Sequence, residues 1–205
     1  MAKRVVRVTL TGGPGGGKTT FVRNYADRFD RWWTIAIEES ATALKAEYTN
    51  AETKYRSDSA YFQQQVLHRQ LQVEEGAYAA AQACSRPTIL LADRGLFDSV
   101  GFVPFSTYQE LLLRMGLTAV EVVARYDAIV FLKSIVPSGK AKLDRFARPD
   151  AGAFAAHVRN VEDILLNHLS AHPNLVVIDP QDTMDEKMRL TRIAVENFVM
   201  KAVSL

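Results

Sequence analysis

Gly12-Gly13-Pro14-Gly15-Gly16-Gly17-Lys18-Thr19 fits a strict pattern: glycine, four residues of any kind, glycine, lysine and a hydroxyl residue. Its flanks restrict the fold further. Val5-Val6-Arg7-Val8-Thr9-Leu10 is rich in β-branched residues and reads as a buried strand running into the glycines. Thr20-Phe21-Val22-Arg23-Asn24-Tyr25 continues as a helix, free of glycine and proline. Strand, glycine-rich loop and helix form the context in which this pattern makes a phosphate-binding loop. Glycines let successive N–H groups turn inward around an anion, and the helix presents its unpaired N–H groups and positive end to the same anion. Lys18 is placed to reach the outer phosphates of a nucleoside triphosphate, Thr19 to ligate Mg²⁺ and Thr20 to touch an inner phosphate. A plain glycine-rich surface turn would not need Lys-Thr at that spacing after such a strand.

Composition narrows the class. A chain of 205 residues, 48% apolar with a net charge of +2, has the profile of one soluble globular domain with a full core. No block of Lys and Arg marks a polynucleotide footprint, so a long nucleic-acid partner is not expected. No apolar run approaches a membrane span, and the N-terminus reads as a strand rather than a signal-peptide core. A cytoplasmic enzyme fits these features, and the oligomeric state stays open. Cys84 is the single cysteine, which excludes an internal disulfide and a multi-cysteine metal site. Its alanine-rich surroundings predict a small buried thiol in a helix.

Apolar β-type runs alternate with helical patterns, as in a parallel sheet covered on both faces. The expected strands after the first are 32–37, 88–92, 128–132 and 175–178. The expected long helix covers 59–83, with Phe62, Val66, Leu67, Leu71 and Tyr78 inward and Gln64, His68, Gln72 and Glu75 on another face. Capping boxes are read at Thr107 with Glu110 and at Thr118 with Glu121, with Gly116 ending the first of those helices. Phe154, Val158, Val161, Leu165 and Leu169 recur as the core stripe of a further helix, and 184–203 forms a closing one. The expected fold class is α/β: a three-layer fold of the P-loop NTPase type, with five parallel strands expected in the order 2-3-1-4-5.

Thr88-Ile89-Leu90-Leu91-Ala92-Asp93 supplies a second signal, an apolar strand ending in a carboxylate that the sheet would bring beside the loop's metal. AAA-type ATPases usually continue Asp-Glu and GTPases Asp-x-x-Gly, whereas this chain continues Arg94-Gly95. These elements, with Glu39-Ser40-Ala41 after the second strand and Tyr126-Asp127-Ala128-Ile129-Val130-Phe131-Leu132, resemble the P-loop nucleoside- and nucleotide-kinase group. More narrowly, the chain is similar to the AAA-domain family of ATP-binding proteins related to ribosylnicotinamide kinases, over roughly 5–179. The resemblance implies ATP as co-substrate, Mg²⁺ and a small-molecule phosphoryl acceptor. It implies that Asp93 orders the metal or polarises the acceptor hydroxyl, that Arg94 holds an acceptor anion or a transferring oxygen, and that Glu39, or failing that Glu38, is the base or a ligand of the acceptor hydroxyl. Relatives often place an arginine shortly after that glutamate, and here Thr42 follows instead, which leaves the acceptor unnamed.

Lys140 to Arg148 follows the fourth strand, where kinases of this fold carry a mobile lid, about 137–150 here. Arg145 and Arg148, three apart, are its candidate phosphate-closing residues, since a guanidinium stays charged and satisfies several oxygens at once. An exposed basic helix end accounts for each arginine alone equally well. Asp179-Pro180-Gln181-Asp182 occupies the place where such kinases wrap the adenine, and Asp98 could bind the acceptor or cap a helix. Trp32-Trp33 reads as packing at a strand start, and the four histidines, His68, His157, His168 and His172, lack metal-ligand spacing. The leading expectation is an ATP- and Mg²⁺-dependent small-molecule kinase. A regulatory NTPase acting through a partner protein is the alternative, with a guanine-specific switch disfavoured because no Asn-Lys-x-Asp occurs.

Overall fold

The structure, a computed structural model, describes residues 5–25, 29, 32–47, 59–138 and 150–203. Five parallel strands form one sheet in the order β2-β3-β1-β4-β5. They are β1 (Val5–Thr11), β2 (Trp33–Ile37), β3 (Thr88–Asp93), β4 (Ala128–Leu132) and β5 (Leu175–Ile178). The expected order is therefore the observed one. Because β1 is flanked by β3 on one side and β4 on the other, the connections diverge there, and a crevice opens at the carboxyl ends of these strands. Register brings Leu10 opposite Asp93 and Thr11 opposite Phe131, so the ends of β3 and β4 flank the start of the glycine loop.

Strand alternation sorts the core into two layers. Val6, Val8, Leu10, Ala128, Val130 and Leu132 face α1 (Lys18–Tyr25) and the closing helix, which supplies Met188, Val195 and Val199. Ile129 and Phe131 face the opposite way, into a cluster with Leu67, Phe97, Leu112 and Leu165. The helices between are α2 (Ser40–Glu47), α3 (Ser59–Ala83), α4 (Phe105–Arg114), α5 (Ala119–Ala124) and α6 (Ala151–Leu169), and α7 (Met184–Val203) closes the chain. A 3-10 turn over Leu96–Gly101 follows β3 directly.

Several local expectations need correction. The Thr107–Glu110 box falls inside α4, whose cap is Pro104, and the Tyr108 N–H bonds the Pro104 carbonyl at 3.0 Å. Proline lacks an N–H and holds its φ at −54°, so a start there costs the helix nothing. The Thr118–Glu121 box is present with both reciprocal bonds. Gly116 (φ +71°) ends α4, with Leu117 N–H on the Leu112 carbonyl and Gly116 N–H on that of Leu113, the paired pattern of a Schellman turn. Strand β2 begins at Trp33 rather than Trp32; Trp32 packs on the core and Trp33 is partly exposed. Cys84 lies one residue past the end of α3 and is half-buried, rather than buried within the helix.

The largest difference is in α3. Its buried residues are Phe62, Gln63, Leu67, Gln70, Glu74 and Ala81, while Val66, Leu71 and Tyr78 are only half-buried. A polar row thus lies under the helix, and a chain of hydrogen bonds links Gln70 and Glu74 within it, although Glu74 Oε2 is buried without a hydrogen-bond partner. Phe131, fully buried among Leu67, Phe97 and Leu165, is the point where β4 meets this layer. Phe131→Ala should destabilise the fold by about 3–5 kcal/mol in denaturant titration, and a loss below about 1 kcal/mol would contradict this packing.

Candidate functional site

The glycine loop closes around the end of β4. A side-chain carbon on Gly12, whose φ is +123°, would lie 2.3 Å from the Leu132 carbonyl oxygen, and one on Gly16 would lie 2.4 Å from it. Only glycine permits this approach, and Gly16 is a position that the motif itself leaves free. The Gly16 N–H bonds the Gly13 carbonyl at 3.2 Å, and Phe21 N–H bonds Gly17 at 3.0 Å, carrying the loop into α1. Lys18 is only 5% exposed, and its Nζ donates to the carbonyls of Gly12 (2.8 Å) and Gly13 (2.9 Å). Burial, with the nearby Arg94 charge, draws its pKa down to about 7 although Asp93, Asp98 and Glu39 oppose the shift.

At the start of α1 the Thr19 hydroxyl donates to Asp93 Oδ2 at 2.5 Å. Asp93 is 1% exposed, and its other oxygen, Oδ1, is buried with no hydrogen-bond partner. Burial pushes the Asp93 carboxyl above its ordinary range despite the Thr19 bond and the Lys18 charge. A buried carboxylate with one unused oxygen beside a hydroxyl fits a hard cation such as Mg²⁺, which takes few protein ligands and completes its shell with water and phosphate. Among the described residues no group of three or more His, Cys, Asp and Glu side chains could form a protein-only cage.

Arg94 follows at once and is the one non-glycine residue described with positive φ, +75°. Such a conformation costs of order 1 kcal/mol or more and persists only when its surroundings impose it. Here they do so at each peptide. Arg94 N–H bonds Leu10 (2.9 Å), the Arg94 carbonyl takes Gln70 Nε2 (3.1 Å), Gly95 N–H bonds Asp98 Oδ2 (2.8 Å), and Leu96 N–H bonds the Tyr126 hydroxyl (2.8 Å). The turn aims the guanidinium back across the loop. Its Nε donates to Glu39 Oε1 at 2.5 Å, and its Nη1 to Asp98 Oδ1 at 2.9 Å and the Gly12 carbonyl at 3.3 Å. Burial disfavours the Arg94 charge, but Asp98 and Glu39 outweigh it and raise the pKa. Glu39 moves the other way: burial pushes it up, while Arg94 and the Thr42 hydroxyl (2.5 Å) hold it below the ordinary carboxylate value.

The two glutamates after β2 therefore part company. Glu39 is in the site, whereas the Glu38 side chain is 70% exposed and lies 4.0 Å from Arg23 on the surface. Asp98 both caps the turn and grips Arg94, and it also receives the Thr11 hydroxyl at 2.8 Å. A cavity of about 860 Å³ opens from the loop residues Pro14 to Thr20 past Glu39 and Arg94 to a far wall that includes Lys45, Phe62, Gln63 and Phe102. Beneath it runs the polar row of α3. Ser40 Oγ donates to Gln70 (2.7 Å), Gln70 to Glu74 (2.8 Å), and the Tyr126 hydroxyl to Glu74 (2.8 Å). That chain ties the residue after Glu39 to the Arg94 turn.

Among the described residues, the other candidates stand apart from this arrangement. Arg145 and Arg148, with the rest of the expected lid at 139–149, lie outside the described residues. On α3, His68 and Gln72 face solvent, and Gln63 and Gln70 are the amide side chains that line the cavity. Asp179 pairs with Lys133 at 2.8 Å. His157 is exposed, and His172 Nε2 sits 2.9 Å from the Tyr126 carbonyl. Sequence reasoning missed Gln70 and, on α6, Glu162, whose Oε1 accepts the Gly13 N–H. The signal available for Glu162 was its place four residues after Val158 on the buried stripe.

A protein-family model described as an AAA domain matches residues 7–187. No curated protein matches the chain. The matched span holds the glycine loop, Glu39, Asp93, Arg94 and Glu162. Within that family description this chain carries Arg94 where AAA-type ATPases usually carry a second acid.

The state of Lys18 gives a pH prediction. Phosphate oxygens favour the ammonium form, so a lysine with a pKa near 7 in the free protein takes up a proton as a triphosphate binds. Affinity for Mg·ATP should be greatest below pH 7 and weaken above it, by up to about tenfold per pH unit until the pKa of the bound form is reached. Calorimetry at pH 8 in buffers of different ionisation enthalpy should register uptake of close to one proton; none would contradict the assignment.

Proposed function

The chain belongs to the AAA-domain family of P-loop proteins, and from that premise we propose that it is a kinase. It moves the terminal phosphoryl group of ATP, with Mg²⁺, to an oxygen of a small nucleoside-like or nucleotide acceptor. One observation carries the reading: the ionised Glu39, held by Arg94, shares a cavity with the glycine loop. A hydrolase needs room for one water, whereas about 860 Å³ walled by Phe62 and Phe102 suits a ring-bearing acceptor.

The chemistry follows from the residues. Loop N–H groups and Lys18 hold the phosphates, and Thr19 with Asp93 would hold the metal, which would neutralise charge on the phosphates when bound. Arg94 carries positive charge to the boundary between loop and cavity, where the transferring group passes. The acceptor oxygen forms the new bond to phosphorus as the bond to the ADP oxygen breaks, and where that oxygen belongs to a hydroxyl its proton goes to Glu39. Phosphoryl transfer is loose, so the hydroxyl becomes acidic late, and a carboxylate of low basicity serves first to orient it and then to take the proton. The same reading keeps Arg145 and Arg148 as residues that close over the phosphates.

A panel of nucleosides, ribosylnicotinamide and nucleoside monophosphates incubated with γ-labelled ATP tests this. At least one should take label, and Glu39→Gln should lower that transfer by ~10²-fold or more while Mg·ATP affinity stays within about threefold. If no acceptor raises ADP release above the water rate and Glu39→Gln leaves that rate unchanged, the kinase reading gives way to a regulatory NTPase.

A further inference from the structure

The motif explains the inner face of the loop, but the outer face has its own partner. Glu162 is 7% exposed in the middle of α6, among Val158, Val161 and Leu165. A carboxylate in such a place must be satisfied by hydrogen bonds or charge. Its Oε1 accepts two backbone N–H groups, that of Gly13 at 3.2 Å and that of Ser134 at 2.5 Å. Ser134 in turn donates its hydroxyl to the Pro14 carbonyl at 2.5 Å and accepts the Val136 N–H at 3.1 Å. The first residues of the loop are thus fastened to the chain leaving β4 through a single oxygen of α6.

Two features show that the sequence is built around this contact. Gly13 is not a motif glycine, yet a side-chain carbon there would lie 2.6 Å from Glu162 Oε1 and 2.8 Å from Val158 Cγ1. Lys187 on α7, 4% exposed, is attracted by the Glu162 charge and donates to the Lys133 carbonyl on the same stretch of chain. Burial raises the Glu162 pKa against the two N–H bonds and the Lys18 and Lys187 charges. Both protonation states keep an acceptor oxygen available to the two amides.

We propose that Glu162 is a positioning residue that sets the shape of the phosphate loop from outside, and so determines affinity for the phosphate chain of the nucleotide. A loop of this glycine content loses much conformational entropy on ordering. Anchoring its second residue in the free protein means less of that loss falls at binding. The inference rests on the loop's binding a triphosphate and not on transfer to any acceptor.

Dissociation constants for Mg·ATP and for inorganic tripolyphosphate, measured without acceptor on the full chain, test it. Glu162→Ala leaves both amides unpaired and should raise both constants about tenfold or more. Glu162→Gln keeps an acceptor oxygen and should stay within about threefold of the wild type. A merely structural residue would lower the melting temperature and leave the folded protein's constants unchanged, and that result overturns the proposal. So does a Glu162→Gln variant as weak as Glu162→Ala, or a loss seen with ATP but not with tripolyphosphate. Should Glu162→Ala not fold, Glu162→Asp draws the oxygen back by one methylene and should weaken both probes at least threefold; unchanged constants for a folded Glu162→Asp count equally against it.

Discussion

The close seat of the glycine loop on the end of β4 is the contact on which the rest of this molecule depends. Gly12 and Gly16 approach the Leu132 carbonyl to distances that no side chain would allow. That seat exists because β4 is the direct neighbour of β1, with Thr11 and Phe131 in register. Strand order thus fixes where the loop turns, and the turn fixes where Lys18 and Thr19 point. On the other flank β3 ends level with β1, so Asp93 reaches Thr19 and Arg94 reaches the Gly12 carbonyl. Parallel strands and a glycine run suffice to bring a cation, a hydroxyl and a carboxylate to one edge of the sheet.

Charge is then concentrated where water is scarce. Lys18, Asp93, Arg94 and Asp98 are buried or nearly so, and Glu39 is largely covered. Each acts on the others more strongly than it would in water. The result is a division of states: burial and Arg94 weaken the hold of Lys18 on its proton, while Arg94 keeps Glu39 ionised. Arg94 is the hub, bonded to two carboxylates and a loop carbonyl and held in a left-handed backbone by four separate peptide contacts. Strain kept at such a point belongs with function more often than with stability.

Much of this was legible in the chain. The strand order, the loop and the convergence of Asp93 on Thr19 follow from one motif and from the alternation of strands and helices. Glu39 was preferred over Glu38 without a physical ground for the choice, since adjacent residues leaving a strand differ only in the side they face. Gln70 and Glu162 were not legible because they occupy helix positions where periodicity predicts apolar residues or solvent. A buried polar side chain is explained only by partners distant in sequence, Ser40 and Arg94 in one case and Gly13 and Ser134 in the other. The start of α4 was misplaced for a local reason, since Pro104 supplies the cap that Thr107 matched by pattern.

A crystal structure with Mg²⁺ and a non-hydrolysable ATP analogue tests whether the loop and the Glu39–Arg94 pair form one site. Lys18 Nζ should leave the Gly12 and Gly13 carbonyls for the outer phosphates. Mg²⁺ should sit about 2.1 Å from the Thr19 hydroxyl, with Asp93 Oδ1 in its shell directly or through water. The terminal phosphate should point into the cavity toward Glu39. A triphosphate bound with Lys18 still on the loop carbonyls, or with its terminal phosphate turned away from Glu39, would contradict the account.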